Sequence, residues 1–97
     1  MDWYGMTDAA IVAEIGKRVK ATRARKKLSQ SEVAERAGIS AFTVSQIETG
    51  KNTSLMSLIA VMRVLKLLEN LEDFIPESPI SPIALLNQQT KERITIL

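Results

Sequence analysis

The segment from Ser29 to Gly50, Ser-Gln-Ser-Glu-Val-Ala-Glu-Arg-Ala-Gly-Ile-Ser-Ala-Phe-Thr-Val-Ser-Gln-Ile-Glu-Thr-Gly, leaves its backbone few options. Ser29 followed by Glu32 is a capping box: the serine hydroxyl and the glutamate carboxylate each satisfy an N–H that a helix start leaves free. Val33, Ala34 and Ala37 then share one face of a helix that runs to about Ala37. Gly38 suits the left-handed residue that stops a helix. Ile39 plugs the turn, and Ser40 caps a further helix, Ala41 to Glu48, whose inner face is Val44 and Ile47. Gly50 closes it. Two short helices joined through Gly38-Ile39-Ser40 have to cross and bury their apolar faces on each other.

The remaining apolar positions supply helices to pack around that pair. Thr7 can cap a first helix from about Asp8 to Lys26, with Asp8 in the turn where the helix dipole favours an anion. Ile11, Ile15, Val19 and Thr22 form its inner stripe. Gly16 weakens its middle and points to close packing or a bend there. Thr53 or Ser54 caps a fourth helix, whose apolar side is Leu55, Leu58, Ile59, Met62, Leu65 and Leu68. A short fifth helix is expected around Glu69 to Phe74, with Phe74 and Ile75 closing the core and Pro76 ending it. Residues 1 to 6 read as a loose terminus. The expectation is an all-α domain over residues 7–75 and a Pro-containing tail over 76–97. Pro76, Pro79 and Pro82 recur every third residue, which favours an extended, stiff linker over a recognition motif. Residues 83–97 are compatible with a small helix, a strand pairing with another chain, or a disordered tail.

Composition removes several function classes. The chain of 97 residues has no cysteine and no histidine. Disulfides and thiolate chemistry are therefore out, along with the commonest general base and zinc ligand. No metal and no cofactor is expected. Glu32 with Glu35, and Glu69 with Glu72, are carboxylate pairs at helical spacing, but each is explained by capping or solubility. Neither comes with a base, metal ligands or a phosphate-cradling loop, so the chain is not expected to be an enzyme. No apolar run is long enough to cross a bilayer, and the start lacks the pattern of a signal peptide. The expected location is the cytoplasm.

The net charge is only +2, yet its distribution is uneven. Lys17, Arg18, Lys20, Arg23, Arg25, Lys26 and Lys27 form a run without an acid, whereas Glu69, Glu72, Asp73 and Glu77 form one without a base. A basic run alone is most often a solvated helix face. Beside two helices crossed through a tight turn it suits a polyanion, because that unit is the one that lays its second helix in the major groove of DNA. With Val44 and Ile47 turned inward, Ala41, Phe42, Ser45 and Gln46 face outward and Thr43 stands at the edge of that face. Gln46 is the one long side chain there able to donate and accept toward adenine. Ala41 and Phe42 offer apolar surface suited to thymine methyls, although Phe42 could instead pack on the preceding helix or on a dimer mate. Phosphate contacts are expected from Gln30, at a helix start, and from Ser40, Thr43, Lys51 and Asn52.

Ile15-Gly-Lys-Arg-Val19, Arg23, Leu28-Ser-Gln30, Val33-Ala34, Ala37-Gly-Ile-Ser40, Val44-Ser-Gln-Ile-Glu48 and Gly50-Lys51 together resemble the Cro/C1-type (XRE) helix-turn-helix regulators over about residues 11–68. The resemblance implies a compact five-helix, lambda-repressor-like domain, usually a homodimer on a two-fold operator, acting as a repressor or autoregulator of transcription. It implies base contacts from Ala41, Phe42 and Gln46, and a phosphate contact from Gln30. Ala41 and Phe42 depart from the polar residues often found at their positions. It further implies a partly buried ion pair between Arg23 and Glu48, which makes Arg23 structural. A narrower similarity, carried by Gly50-Lys-Asn-Thr-Ser-Leu55, Leu67-Leu-Glu-Asn-Leu71, Ile75-Pro-Glu77 and Ser81-Pro-Ile-Ala-Leu-Leu86, is to the HipB-like antitoxin repressors. It implies an alternative role, a protein-binding module that neutralises a HipA-like kinase toxin, with DNA binding secondary.

Overall fold

Four of the five α-helices start at a hydroxyl whose oxygen accepts an N–H from the first turn. The computed structural model describes residues 1–51 and 53–78. Among them are α1 (Asp8–Arg25), α2 (Gln30–Ala37), α3 (Ala41–Glu48), α4 (Leu55–Val64) and α5 (Leu71–Phe74), with short 3-10 turns at Trp3–Gly5 and Leu68–Asn70, and no strand. The caps are Thr7, Ser29, Ser40 and Ser54. At Ser29 the box is complete, with Ser29 Oγ accepting from the Glu32 N–H and the Glu32 carboxylate accepting from the Ser29 N–H, both at 3.0 Å. These bonds hold the Glu32 carboxyl below its ordinary pKa. α5 has no side-chain cap and spans a single turn.

The stops are of two kinds. Gly38 ends α2 in the left-handed region at φ 72° and Gly50 follows α3 at φ 76°. After α1 and α4 the same conformation is taken by lysines, Lys27 at φ 58° and Lys66 at φ 59°. Lysine at positive φ carries a steric cost that glycine avoids. The fold meets it twice because Leu28 and Leu67, one residue further on, both turn back against the core.

The core is aliphatic. Val33, Val44, Val61 and Leu65 are fully enclosed, and Val19, Ala34 and Ile47 nearly so. Ile15, Leu28, Ile39, Leu58, Val64 and Leu67 pack around them, half-buried. Full burial of one such side chain is worth about 1.5–3 kcal/mol. α2 lies against α3 and α4, and α1 lies against α3. The α1–α3 approach is close enough to exclude side-chain carbon. A Cβ on Gly16 would overlap the Ile47 carbonyl oxygen and stand 2.9 Å from that of Glu48, so this glycine serves close packing.

Three expectations change. Phe74 and Ile75 do not close the core: they are 58% and 74% exposed. Helix α5 is too short to fold its C-terminal end back over α4. Helix α4 stops at Val64, so Leu65 is buried from the turn after it and Leu68 belongs to the 3-10 turn. The first residues are more ordered in form than a loose end. Asp2 caps Trp3–Gly5, and the Arg18 guanidinium lies over the Trp3 ring, 5.0 Å from its centroid. The stiff linker and tail expected beyond Pro76 lie outside the described residues from position 79 on.

Candidate nucleic-acid interface

Helix α3 is fixed from within by Val44 and Ile47, which leaves its other side to solvent. Ala41 is exposed, Phe42 is 70% exposed, and Thr43, Ser45 and Gln46 are half-exposed. The Gln46 side chain makes no hydrogen bond among the described residues, although its backbone carbonyl accepts from the Lys51 N–H at 2.9 Å. Phe42 does not pack into α2. With its side chains an α-helix is about 10–12 Å across, which the major groove of B-DNA, about 12 Å wide, admits.

The expected phosphate ligands fall at both ends of this rod. At its start, Ser40 Oγ accepts the Thr43 N–H at 3.0 Å and lies 2.8 Å from Thr43 Oγ1. One hydroxyl proton is used between them and the other stays free to donate outward. At its far end stand Lys51, exposed, and Gln30, half-buried at the first position of α2. Asn52 lies outside the described residues.

Gln30 is brought there by a bond that the sequence did not suggest. Its Nε2 donates to Glu48 Oε1 at 3.0 Å, joining the start of α2 to the end of α3. Glu48 also accepts from Arg23: Nε reaches Oε2 at 2.6 Å and Nη2 reaches Oε1 at 2.9 Å. Arg23 Nη1 donates to the Leu28 carbonyl at 2.8 Å. One guanidinium thus ties α1, the α1–α2 turn and α3 together. The Glu48 side chain is 1% exposed and that of Arg23 13%. Burial by itself pushes the Glu48 carboxyl up, but hydrogen bonds from Arg23 and Gln30, with the charges of Arg23 and Lys20, outweigh it and hold the carboxyl below its ordinary value. The bond to Glu48 raises Arg23 in turn. The Gln30 amide keeps one N–H and its oxygen for another partner, and its orientation is set by Glu48.

The basic run of α1 is thinned by this arrangement. Arg23 faces Glu48, and Arg18 is paired with Glu14 at 3.1 Å and stacked on Trp3. Lys17, Lys20, Arg25, Lys26 and Lys27 remain exposed. α3 itself carries no cation, so attraction to a polyanion rests on other elements, α1, the turn after it and Lys51 among them. Among the described residues, no group of three or more carboxylates is placed to hold a metal ion, and no helix is long and apolar enough to cross a membrane.

Known proteins share this layout. A family model described as "Helix-turn-helix domain" matches residues 14–74, from within α1 to the last residue of α5. Among solved structures the chain is similar to the restriction-modification controller protein C.AhdI from Aeromonas hydrophila. The two share 29% sequence identity over 59% of this chain and 88% of that one, with a TM-score of 0.56. No curated protein matches the sequence.

Proposed function

Because the chain belongs to the helix-turn-helix domain family of Cro/C1-type DNA-binding transcriptional regulators, we propose that it is a sequence-specific repressor or autoregulator that grips duplex DNA as a homodimer. The observation that carries this reading is the division of α3: Val44 and Ile47 are sealed against α1 and α2 while Ala41, Phe42, Ser45 and Gln46 line its open side. A helix held rigidly by one face and unpartnered on the other can enter the major groove without refolding. In this reading Gln46 pairs with adenine N6 and N7. Gln30, Ser40, Thr43, Lys51 and Asn52 hold phosphates on either side of the groove and set the register of the helix without reading sequence.

One such domain offers few contacts, and two copies on half-sites about one helical turn apart combine their binding energy. Exposed apolar surface on α5 supports association. Phe74 and Ile75, with Leu71, Met62 and Leu55, line an open groove of about 590 Å³ between α1, α4 and α5. An apolar groove left open among the described residues supports an interaction site there. It also supports a second reading, in which the groove and the tail beyond Pro76 receive a different protein, such as a kinase toxin, and DNA binding is secondary. Co-purification with a larger protein from the native cell, with no affinity for duplex DNA, would favour that reading.

Selection from a random duplex pool tests the first reading. The expected outcome is a two-fold symmetric sequence with adenines at the Gln46 positions. Enrichment of no sequence removes it.

A further inference from the structure

We infer that the first turn of α3 reads the C5-methyl group of a pyrimidine, and reads it without regard to the rest of the base pair. The inference rests on the DNA-binding reading above and deepens it by naming the chemical group recognised. N-terminal residues of a recognition helix are the ones that meet base edges. Here those residues are Ala41 and Phe42, with the Phe42 ring 70% exposed. Neither side chain has a donor or an acceptor. The hydroxyls beside them, Ser40 and Thr43, are engaged with each other at 2.8 Å and stand at the cap and the edge of the face. Charge is lacking there as well, since the first turn is Ala41-Phe42-Thr43-Val44.

In the major groove thymine differs from cytosine in two ways, by its methyl group and by an acceptor O4 in place of a donor N4. A polar side chain senses the second difference and Phe42 senses the first. Against the ring, a thymine methyl gains a dry contact. An unmethylated cytosine, like uracil, presents only a C5–H there and leaves that contact unmade. Since neither Ala41 nor Phe42 has a donor or acceptor to distinguish O4 from N4, and the Thr43 hydroxyl stands at the edge of the face beside Ser40, the two C5-methyl pyrimidines, thymine and 5-methylcytosine, are interchangeable against the Phe42 ring. Binding to a C·G variant of the operator therefore responds to cytosine methylation, which strengthens it.

The test uses the full chain and the duplex recovered by random-pool selection, with affinities measured by fluorescence anisotropy. Each thymine of a half-site is replaced in turn by deoxyuridine, which deletes the methyl and keeps every hydrogen-bonding group. At one or two thymines the affinity is expected to fall about four-fold, the value of one buried methyl (about 0.8 kcal/mol at 1.4 kcal/mol per tenfold). Changing that T·A pair to C·G should weaken binding, and methylating the cytosine at C5 should recover most of the loss. Phe42→Ala should bind thymine and uracil duplexes alike at that position; Ala41→Ser gives a second check that leaves the ring in place. Uracil tolerated at every position, or a Phe42→Ala protein as methyl-sensitive as the parent, overturns the inference. So does a Phe42→Ala protein that becomes monomeric in sedimentation, which would make the ring a dimer contact. In each of those cases specific DNA binding still stands. Recovery of no duplex from the pool removes the DNA-binding reading itself, and the inference with it.

Discussion

Glu48→Gln isolates the charged network that ties α3 to α1 and to the start of α2. The carboxylate accepts three hydrogen bonds, from Arg23 Nε, Arg23 Nη2 and Gln30 Nε2, at 2.6, 2.9 and 3.0 Å. A glutamine of the same shape keeps one accepting oxygen and sets an NH2 group against a donor, so at least one buried donor loses its partner. The Arg23 charge, with its side chain 13% exposed, loses its counter-ion. Breaking a buried pair from one side costs about 3–5 kcal/mol, a large share of the roughly 5–15 kcal/mol that holds a native domain together. Urea denaturation followed by far-UV circular dichroism at pH 7 should show that loss. The pH dependence supplies a second check. The native Glu48 carboxyl sits below its ordinary value, so the unfolded chain binds more protons there and stability rises with pH. The contribution is complete above the ordinary carboxylate value of about 4.3. It is lost as pH falls from there through the lower folded-state value. Parent and variant should therefore converge in stability as the solution is acidified. Replacing both partners, as in Arg23→Met with Glu48→Leu, should recover much of the loss, because no orphaned charge remains. A gap under about 1 kcal/mol at pH 7, or one that acid does not narrow, would refute the view that this network locks α3 to α1.

Gln46→Ala should weaken the selected operator by about 1–3 kcal/mol and leave random duplex nearly unaffected in the same titration; an equal loss on both contradicts a base-reading role. Lys51→Ala should weaken all duplexes alike and reduce the slope of log affinity against log salt by about one, and an unchanged slope takes Lys51 off the phosphate backbone. Gly16→Ala should cost about 1–3 kcal/mol by overpacking against the Ile47 and Glu48 carbonyls, read as a lower urea midpoint. Phe74→Ser with Ile75→Ser should leave thermal stability nearly unchanged, since both side chains are largely exposed; sedimentation should shift toward monomer, and an unaltered dimer moves the interface elsewhere.

What the sequence determined by itself was local. Helix starts were legible because a serine or threonine hydroxyl meets an N–H three residues on, within a single turn, whatever the rest of the chain does. Val33, Val44 and Ile47 could be assigned to the interior because helical spacing fixes which residues share a face. The stop at Gly38 was legible from glycine's freedom at positive φ, and the end of the first helix, expected at about Lys26, falls at Arg25; the left-handed conformation of Lys27 and Lys66 was not legible, because lysine has no preference for it and adopts it where the next leucine packs on the core. The resemblance of Arg23 and Glu48 to a family pattern suggested a pair. That Gln30 joins it, and that Leu28 lends its carbonyl, follows from three helices meeting at one point. Those contacts span 25, 18 and 5 residues of chain, and no local signal encodes the first two. The ends of the domain were decided by tertiary structure alone. Phe74 and Ile75 are apolar and stand at the end of the expected last helix, so they read as closing the core, but a single-turn α5 leaves them largely exposed. Whether an apolar face is buried depends on what lies opposite it, and the local pattern is silent on that.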